Sequence, residues 1–205
     1  MSRYTGPRAR VSRRLGTNIF GTQGETHALD KRPYPPGIHG RTRRRGNTSE
    51  YLVQLQEKQK ARLSYGLTER QFRVLYQEAS RREGVTGQNM LQLLELRLDN
   101  VVYRSGWGST RPQARQFVSH GHVNVNGKRV NVPSYRLRKG DVVEIREKTR
   151  TNPIVQWNKD VLDRTPPAWL ERGENEFSIK VYNEPIREQI DIPIREQLIV
   201  ELYSK

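Results

Sequence analysis

Cysteine is absent from all 205 residues. That single absence excludes disulfides, thiolate nucleophiles and cysteine-ligated zinc together. Apolar residues are scarce as well, at 33% of the chain with a mean hydropathy of −0.90. No apolar run approaches the ~18 residues that a membrane-spanning helix needs. The opening MSRYTGPRAR has charge but no apolar stretch behind it, so no secretory signal is expected there. Acidic charge is also short. Against 37 Lys and Arg stand 22 Asp and Glu, giving +15 and a sequence pI near 10.4. These shortages leave a soluble, intracellular protein whose expected partner is a polyanion.

Catalytic signatures are missing too. His27, His39, His120 and His122 are too scattered for a metal set, and no carboxylate completes the His120/His122 pair. Gly106-Trp107-Gly108-Ser109-Thr110-Arg111 lacks the third glycine of a dinucleotide loop. Neither a phosphate-binding loop of the nucleotide hydrolases nor a nucleophile elbow occurs. Asp99 and Glu95 stand i, i+4, and pairing with nearby arginines accounts for them better than acid–base chemistry does. No enzyme, cofactor or metal is expected.

What is present is regional basicity. Residues 1–45 carry 11 Lys/Arg against 2 Asp/Glu, and residues 94–150 carry 12 against 5. Residues 46–93 are nearly balanced, with 7 against 5, and residues 151–205 are acidic, with 7 against 10. A polyanion footprint clusters charge in this way, whereas a merely solvated surface spreads it.

Residues 1–45 are punctuated so often by glycine and proline that an irregular extension is expected, ordered by nucleic acid and packing. Arg41-Thr42-Arg43-Arg44-Arg45 concentrates guanidinium groups suited to bidentate phosphate contact, and Tyr34 among the prolines adds stacking surface. Residues 46–93 read as a helical domain. Asn47 with Glu50 suggests a capping box for a helix with Tyr51, Leu52, Leu55 and Leu63 inward and residues 57–62 outward. Thr68 with Gln71 suggests another, for a helix carrying Phe72, Leu75, Tyr76 and Ala79 at i, i+3, i+4, i+7. A third helical stretch packs Met90, Leu93, Leu94, Leu96 and Leu98 inward.

Residues 94–157 read as a small helix-plus-hairpin module. Ser109 or Thr110 caps a short helix with Pro112 in its first turn, ending at Gly121. His122–Val125 then alternates, and Asn126-Gly127 is a strong hairpin signal, returned by Lys128–Val130. A further strand is expected over Val142–Arg146. Residues 158–205 are expected to pack back on the helical domain. Trp157 and Trp169 serve there as anchors, and Phe177–Val181 and Leu198–Leu202 as short strands. The fold class expected is α+β, with antiparallel strands in the module.

Eight strings in preserved order resemble one family. They are SRYTGPR (Ser2–Arg8), RRLG (Arg13–Gly16), KRPYPPGIHG (Lys31–Gly40), EKQKAR with YG (Glu57–Gly66), ERQF (Glu69–Phe72), RLDNVVYR (Arg97–Arg104), RPQARQFVSHGHVNVNGKRV (Arg111–Val130) and the closing EQLIVELYSK. The chain is similar over its whole length to ribosomal protein S-four, in its bacterial form. The resemblance implies a structural constituent of the small ribosomal subunit, in the cytoplasm, that binds ribosomal RNA early and nucleates assembly of the subunit body. It further implies neighbours S-five and S-three, proximity to messenger RNA where it enters, and a share with S-five in decoding accuracy.

The RNA-facing residues so implied fall in three groups. The arm supplies Arg3, Arg8, Arg13, Arg14, Lys31, Arg32, Tyr34, Arg41, Arg43, Arg44 and Arg45, and the helical domain Lys58, Lys60, Arg62 and Arg70. The module supplies Arg111, Arg115, Gln116, His120, His122, Asn124, Lys128, Arg129, Arg136 and Arg138. Many relatives hold a zinc ion with four cysteines in the first 35 residues. Here that stretch has Ala9, Ser12, Thr22 and His27, so a zinc-free arm is expected. Pseudouridine synthases share the small module and an Arg-Leu-Asp string. Here Arg97-Leu98-Asp99 precedes the module and no large catalytic sheet domain follows, so that reading is set aside.

Overall fold

The computed structural model describes residues 4–42, 49–162, 164–173 and 175–204. In chain order its helices are α1 (Arg8–Leu15), α2 (Gln23–Lys31), α3 (Glu50–Ser64), α4 (Glu69–Arg81), α5 (Thr86–Glu95), α6 (Leu98–Arg104), α7 (Arg111–Ser119), α8 (Glu147–Arg150), α9 (Pro153–Leu162) and α10 (Glu196–Ser204). The strands are β1 (Val123–Val125), β2 (Lys128–Arg129), β3 (Val142–Ile145), β4 (Leu170–Arg172) and β5 (Ser178–Val181). Short 3-10 turns occupy Ile38–Gly40 and Arg187–Gln189. The class is α+β. None of the described helices is long and apolar enough to cross a membrane. The chain divides into two compact units, residues 1–87 with 193–205, and residues 88–192.

In the first unit the arm is not irregular throughout. The glycines that argued against helices mark their ends instead. Gly16, at φ 70°, closes α1 with its N–H on the Ser12 carbonyl, a conformation glycine reaches without penalty. At the start of α2, the Thr22 N–H and hydroxyl both donate to the Glu25 carboxylate, at 3.3 and 2.7 Å. Helices of eight and nine residues fit between such punctuation. Between α1 and α2, the buried Ser12 hydroxyl donates to the buried Glu25 carboxylate. The Ile19 N–H donates in turn to Ser12 Oγ at 3.3 Å.

Helix α3 differs from expectation at both its start and its faces. Ser49 is the cap, accepting the Leu52 N–H at 3.3 Å, and the expected Asn47 lies outside the described residues. Tyr51 is exposed, while Gln54, Glu57 and Lys58 are buried, the last two on the face expected outward. The reason is the neighbour. Helix α10 lies against α3, and Glu201 accepts from Gln54 Nε2 at 3.1 Å while Glu57 accepts the Arg195 N–H at 3.0 Å. Buried polar atoms are tolerated when they are bonded in this way.

Helix α10 itself occupies the stretch Leu198–Leu202, where the sequence suggested a strand. A short apolar run fits either state by periodicity. Here it buries Ile199 and stacks Tyr203 on Tyr76, ring centroids 4.5 Å apart. Helix α4 follows its pattern, with Phe72, Leu75 and Ala79 buried and Thr68 and Gln71 bonding reciprocally at 3.4 and 3.2 Å.

The second unit is built around one core, in which Leu98, Val101 and Val102 of α6 and Ala114, Phe117 and Val118 of α7 meet the sheet. The strand order is β2-β1-β3-β5-β4, all antiparallel. Val123 pairs with Ile145 and Val143 with Ile179, so the inward residues of three strands stand side by side. Asn126 and Gly127 take φ 49° and 76°, as a two-residue turn with both centres left-handed demands.

The expected boundary at 158 falls inside α9. Residues 158–192 belong to the second unit, where β4 and β5 extend the module's sheet, and only residues 193–205 lie with the first. Once Ile179 pairs with Val143, the segment completes a hydrophobic face that three strands would leave open. Trp169 is fully buried, but Trp157, expected as an anchor, is 54% exposed. Pro153 opens α9 at a position where a missing N–H costs nothing.

Candidate nucleic-acid interface

The second unit holds two sets of arginines with different surroundings. At the root of α7 the guanidinium of Arg97 grips Asp99 twice, at 2.8 and 3.0 Å, and both residues are buried. Arg115 of α7 adds a contact to the same carboxylate at 3.3 Å. Beside it, the fully buried Glu95 accepts from Arg104 at 2.9 and 3.0 Å and from Asn100 at 2.7 Å. Asn100 Oδ1 accepts from Arg111 Nε at 3.1 Å. The Tyr103 ring lies between two guanidiniums, with Arg111 Cζ at 4.4 Å and Arg164 Cζ at 4.1 Å from its centroid. Arg164 also donates to the Tyr103 carbonyl at 2.8 Å.

Burial lowers the pKa of Arg115 and of Arg164, with Asp99 opposing the shift for the first and Tyr103 for the second. Arg136, half-buried and bridged to the Arg97 backbone, is lowered by burial as well. Arg111 and Arg115, expected to face RNA, are therefore tied to residues of α6 and help to orient α7, while Arg136 is half-buried beside its backbone bridge to Arg97.

The other set is exposed. Lys128 and Arg129 form β2 at the sheet's edge, and Arg138 follows the Arg136 bridge. Gln116 and His120 lie on and just after α7, and both are exposed. A side chain at Gly121 would collide with the Arg129 guanidinium, so the glycine lets that cation lie over the end of α7. Asn124 of β1 stands opposite Arg129. His122 Nδ1 lies 3.0 Å from Thr149 Oγ1. Its pKa is lowered by burial, then by His120, Arg146 and Arg129.

In the first unit several expected contacts are also used internally. Lys58 pairs with Glu69 at 2.7 Å, Lys60 with Glu57 at 2.6 Å, and Arg62 donates to Gln59 at 2.6 Å. Arg70 is exposed on α4. Arg13 donates to the carbonyls of Arg32 and Tyr34 at 3.1 and 3.2 Å and stacks over the Tyr34 ring at 5.0 Å. Arg41 lies near the same ring at 6.0 Å. Tyr34 thus closes the arm on itself. Arg8 covers Phe20, while Arg14, Lys31 and Arg32 are exposed. Arg3, Arg43, Arg44 and Arg45 lie outside the described residues.

The arm also contains a concave site that sequence spacing does not reveal. A cavity of about 730 Å³ lies between α1, α2 and the turn at Pro36–Gly37, with Arg10, Arg13, Arg14, His27, Lys31 and Arg32 in its wall. Arg10 and Lys31 stand on different helices and meet only through the fold.

The zinc ion implied for many relatives does not fit here. Ala9 offers no donor, and the Ser12 and Thr22 hydroxyls are both bound to Glu25. Only His27 remains of the four positions, and no group of three or more His, Asp or Glu is placed for a metal among the described residues.

Comparison with known proteins gives family matches along the chain. Residues 3–95 match the ribosomal protein S4/S9 N-terminal domain, and residues 96–143 match the S4 domain. The small ribosomal subunit protein uS4 of Saccharopolyspora erythraea is 53% identical over the full length of both chains. Those of Nocardioides sp. and Nocardia farcinica are 53% and 54% identical, again with both chains covered completely. These matches run the full length of the chain, which belongs to the S4 family of structural proteins of the small ribosomal subunit.

Proposed function

We propose that the chain binds small-subunit ribosomal RNA through the cations of β2 and Arg138 in its second unit and through the arm of its first. The observation that carries this reading is the division among the arginines and lysines. Buried arginines are paired with Asp99 and Glu95, whereas Lys128 and Arg138 stand exposed with no ion pair among the described residues. Charge left uncompensated at a surface is what phosphate contact requires. The exposed groups surround a helix end and a hairpin tip, a shape suited to a folded RNA junction rather than to reading a long sequence.

The finer roles implied by the resemblance belong to the same proposal. The protein binds early and nucleates the subunit body, with S-five and S-three as neighbours and messenger RNA nearby, and shares with S-five in decoding accuracy. The acidic C-terminal quarter supports protein rather than RNA contact there. Chemical footprinting of small-subunit RNA with and without the protein tests the reading. Protection of one multi-helix junction at physiological salt is expected, and protection spread without preference would overturn it.

A further inference from the structure

The cavity in the arm is unusual in its charge. Five Arg or Lys side chains and one His line it, and no carboxylate does. Arg13 is committed to backbone carbonyls. Arg10, Arg14 and Lys31 are exposed and make no hydrogen bond or ion pair among the described residues. Elsewhere the protein neutralises converging arginines with carboxylates, as at Asp99 and Glu95. Here it leaves them facing one concave space. Like charges so placed repel, and the repulsion is relieved only when anionic charge enters.

We infer that this cavity is a polyphosphate site, taking two or more phosphoryl groups that converge on Arg10, Arg14 and Lys31 at once. The inference rests on the RNA-binding reading but sharpens it. A regular duplex presents its phosphates along a convex ridge and reaches a concavity with one at most. A sharply turned RNA backbone brings several phosphates to one point, and a free polyphosphate does the same. Guanidinium forks bind such oxygens bidentately, and the lysine adds a compact charge. Arg13, stacked on the Tyr34 ring and bonded to the Tyr34 carbonyl, holds one side of the wall in place.

The test uses the full chain and inorganic tripolyphosphate, with orthophosphate at matched ionic strength as the comparison. Calorimetry should show tripolyphosphate binding one to one and at least about tenfold more tightly than orthophosphate. The triple variant R10Q/R14Q/K31Q should lose that preference, and R10K/R14K should keep it. Equal binding of the two anions, or an unchanged preference in a triple variant that retains the circular dichroism of the parent, overturns the inference. Junction RNA is titrated in parallel. Competition between RNA and tripolyphosphate identifies the backbone as the natural source of the phosphates, and binding of both at once identifies a free polyphosphate. If wild type binds RNA and the triple variant binds neither anion preferentially yet holds RNA equally with the same salt slope, the backbone is excluded as the source and the RNA reading stands. If wild type does not bind RNA, that reading fails by itself.

Discussion

Arg115 Nη1 lies 3.3 Å from Asp99 Oδ2, the same carboxylate that Arg97 holds bidentately. An arginine expected to meet phosphate is therefore the second cation of a buried ion-pair cluster. Asp99→Ala leaves Arg97 buried without that carboxylate, a loss of about 3–5 kcal/mol in unfolding free energy. Urea titration of the variant checks it, and a midpoint equal to that of the parent would contradict the cluster's structural role.

Salt dependence separates the two classes of cation. The double variant K128Q/R129Q should reduce the slope of log affinity against log salt by about 2, one for each phosphate no longer neutralised. Arg115→Gln should weaken RNA binding with the slope unchanged, since its charge is spent on Asp99. Filter binding across a salt series reads both.

The arm depends on Ser12. Ser12→Ala removes a donor from the buried Glu25 and costs about 1–3 kcal/mol of local stability. Amide exchange across α1 and α2 should quicken while exchange in α7 stays the same. Metal analysis of the purified protein should find no stoichiometric zinc, because hydroxyls bound to a carboxylate stand where thiols would be needed.

His122 gives the second unit a pH dependence with a defined sign. The unfolded chain takes up a proton near the ordinary histidine value of ~6.5, whereas the folded one resists it, through burial first and neighbouring cations next. Between the two values the unfolded state binds more protons, so stability rises with pH across that window. Stability should therefore be intact above pH ~6.5 and fall as the solution is acidified through the lowered folded value. Thermal melts between about pH 7 and 5 check this, and His122→Gln should flatten the response.

The α+β class, the α4 register, the hairpin at Asn126-Gly127 and the exposed cations of β2 were legible in the sequence, because each rests on local rules. Turn chemistry, capping and side-chain period act over a few residues. What was not legible depended on neighbours distant in sequence. The polar face of α3 is buried only because α10 brings Glu201 and the Arg195 N–H to it. Arg111 and Arg115 looked free because Asn100, Tyr103 and Asp99 approach them through the fold of α6 against α7. The charged residues within RLDNVVYR were the available signal, since Arg97, Asp99 and Arg104 interrupt an otherwise apolar stretch. The cavity gave no signal at all, its wall being assembled from α1, α2 and a turn.

Strand β2 has only two residues, and both are cations at an unpaired edge of the sheet. An open edge is a template on which a second copy can add a strand, and lysine or arginine there deters it. Lys128 and Arg129 consequently put two positive charges where a second copy would have to pair. Neutralising them should do more than weaken RNA binding. It should leave the free protein prone to self-association, so that a cell making more of the protein than it has RNA to match would lose the surplus to aggregates.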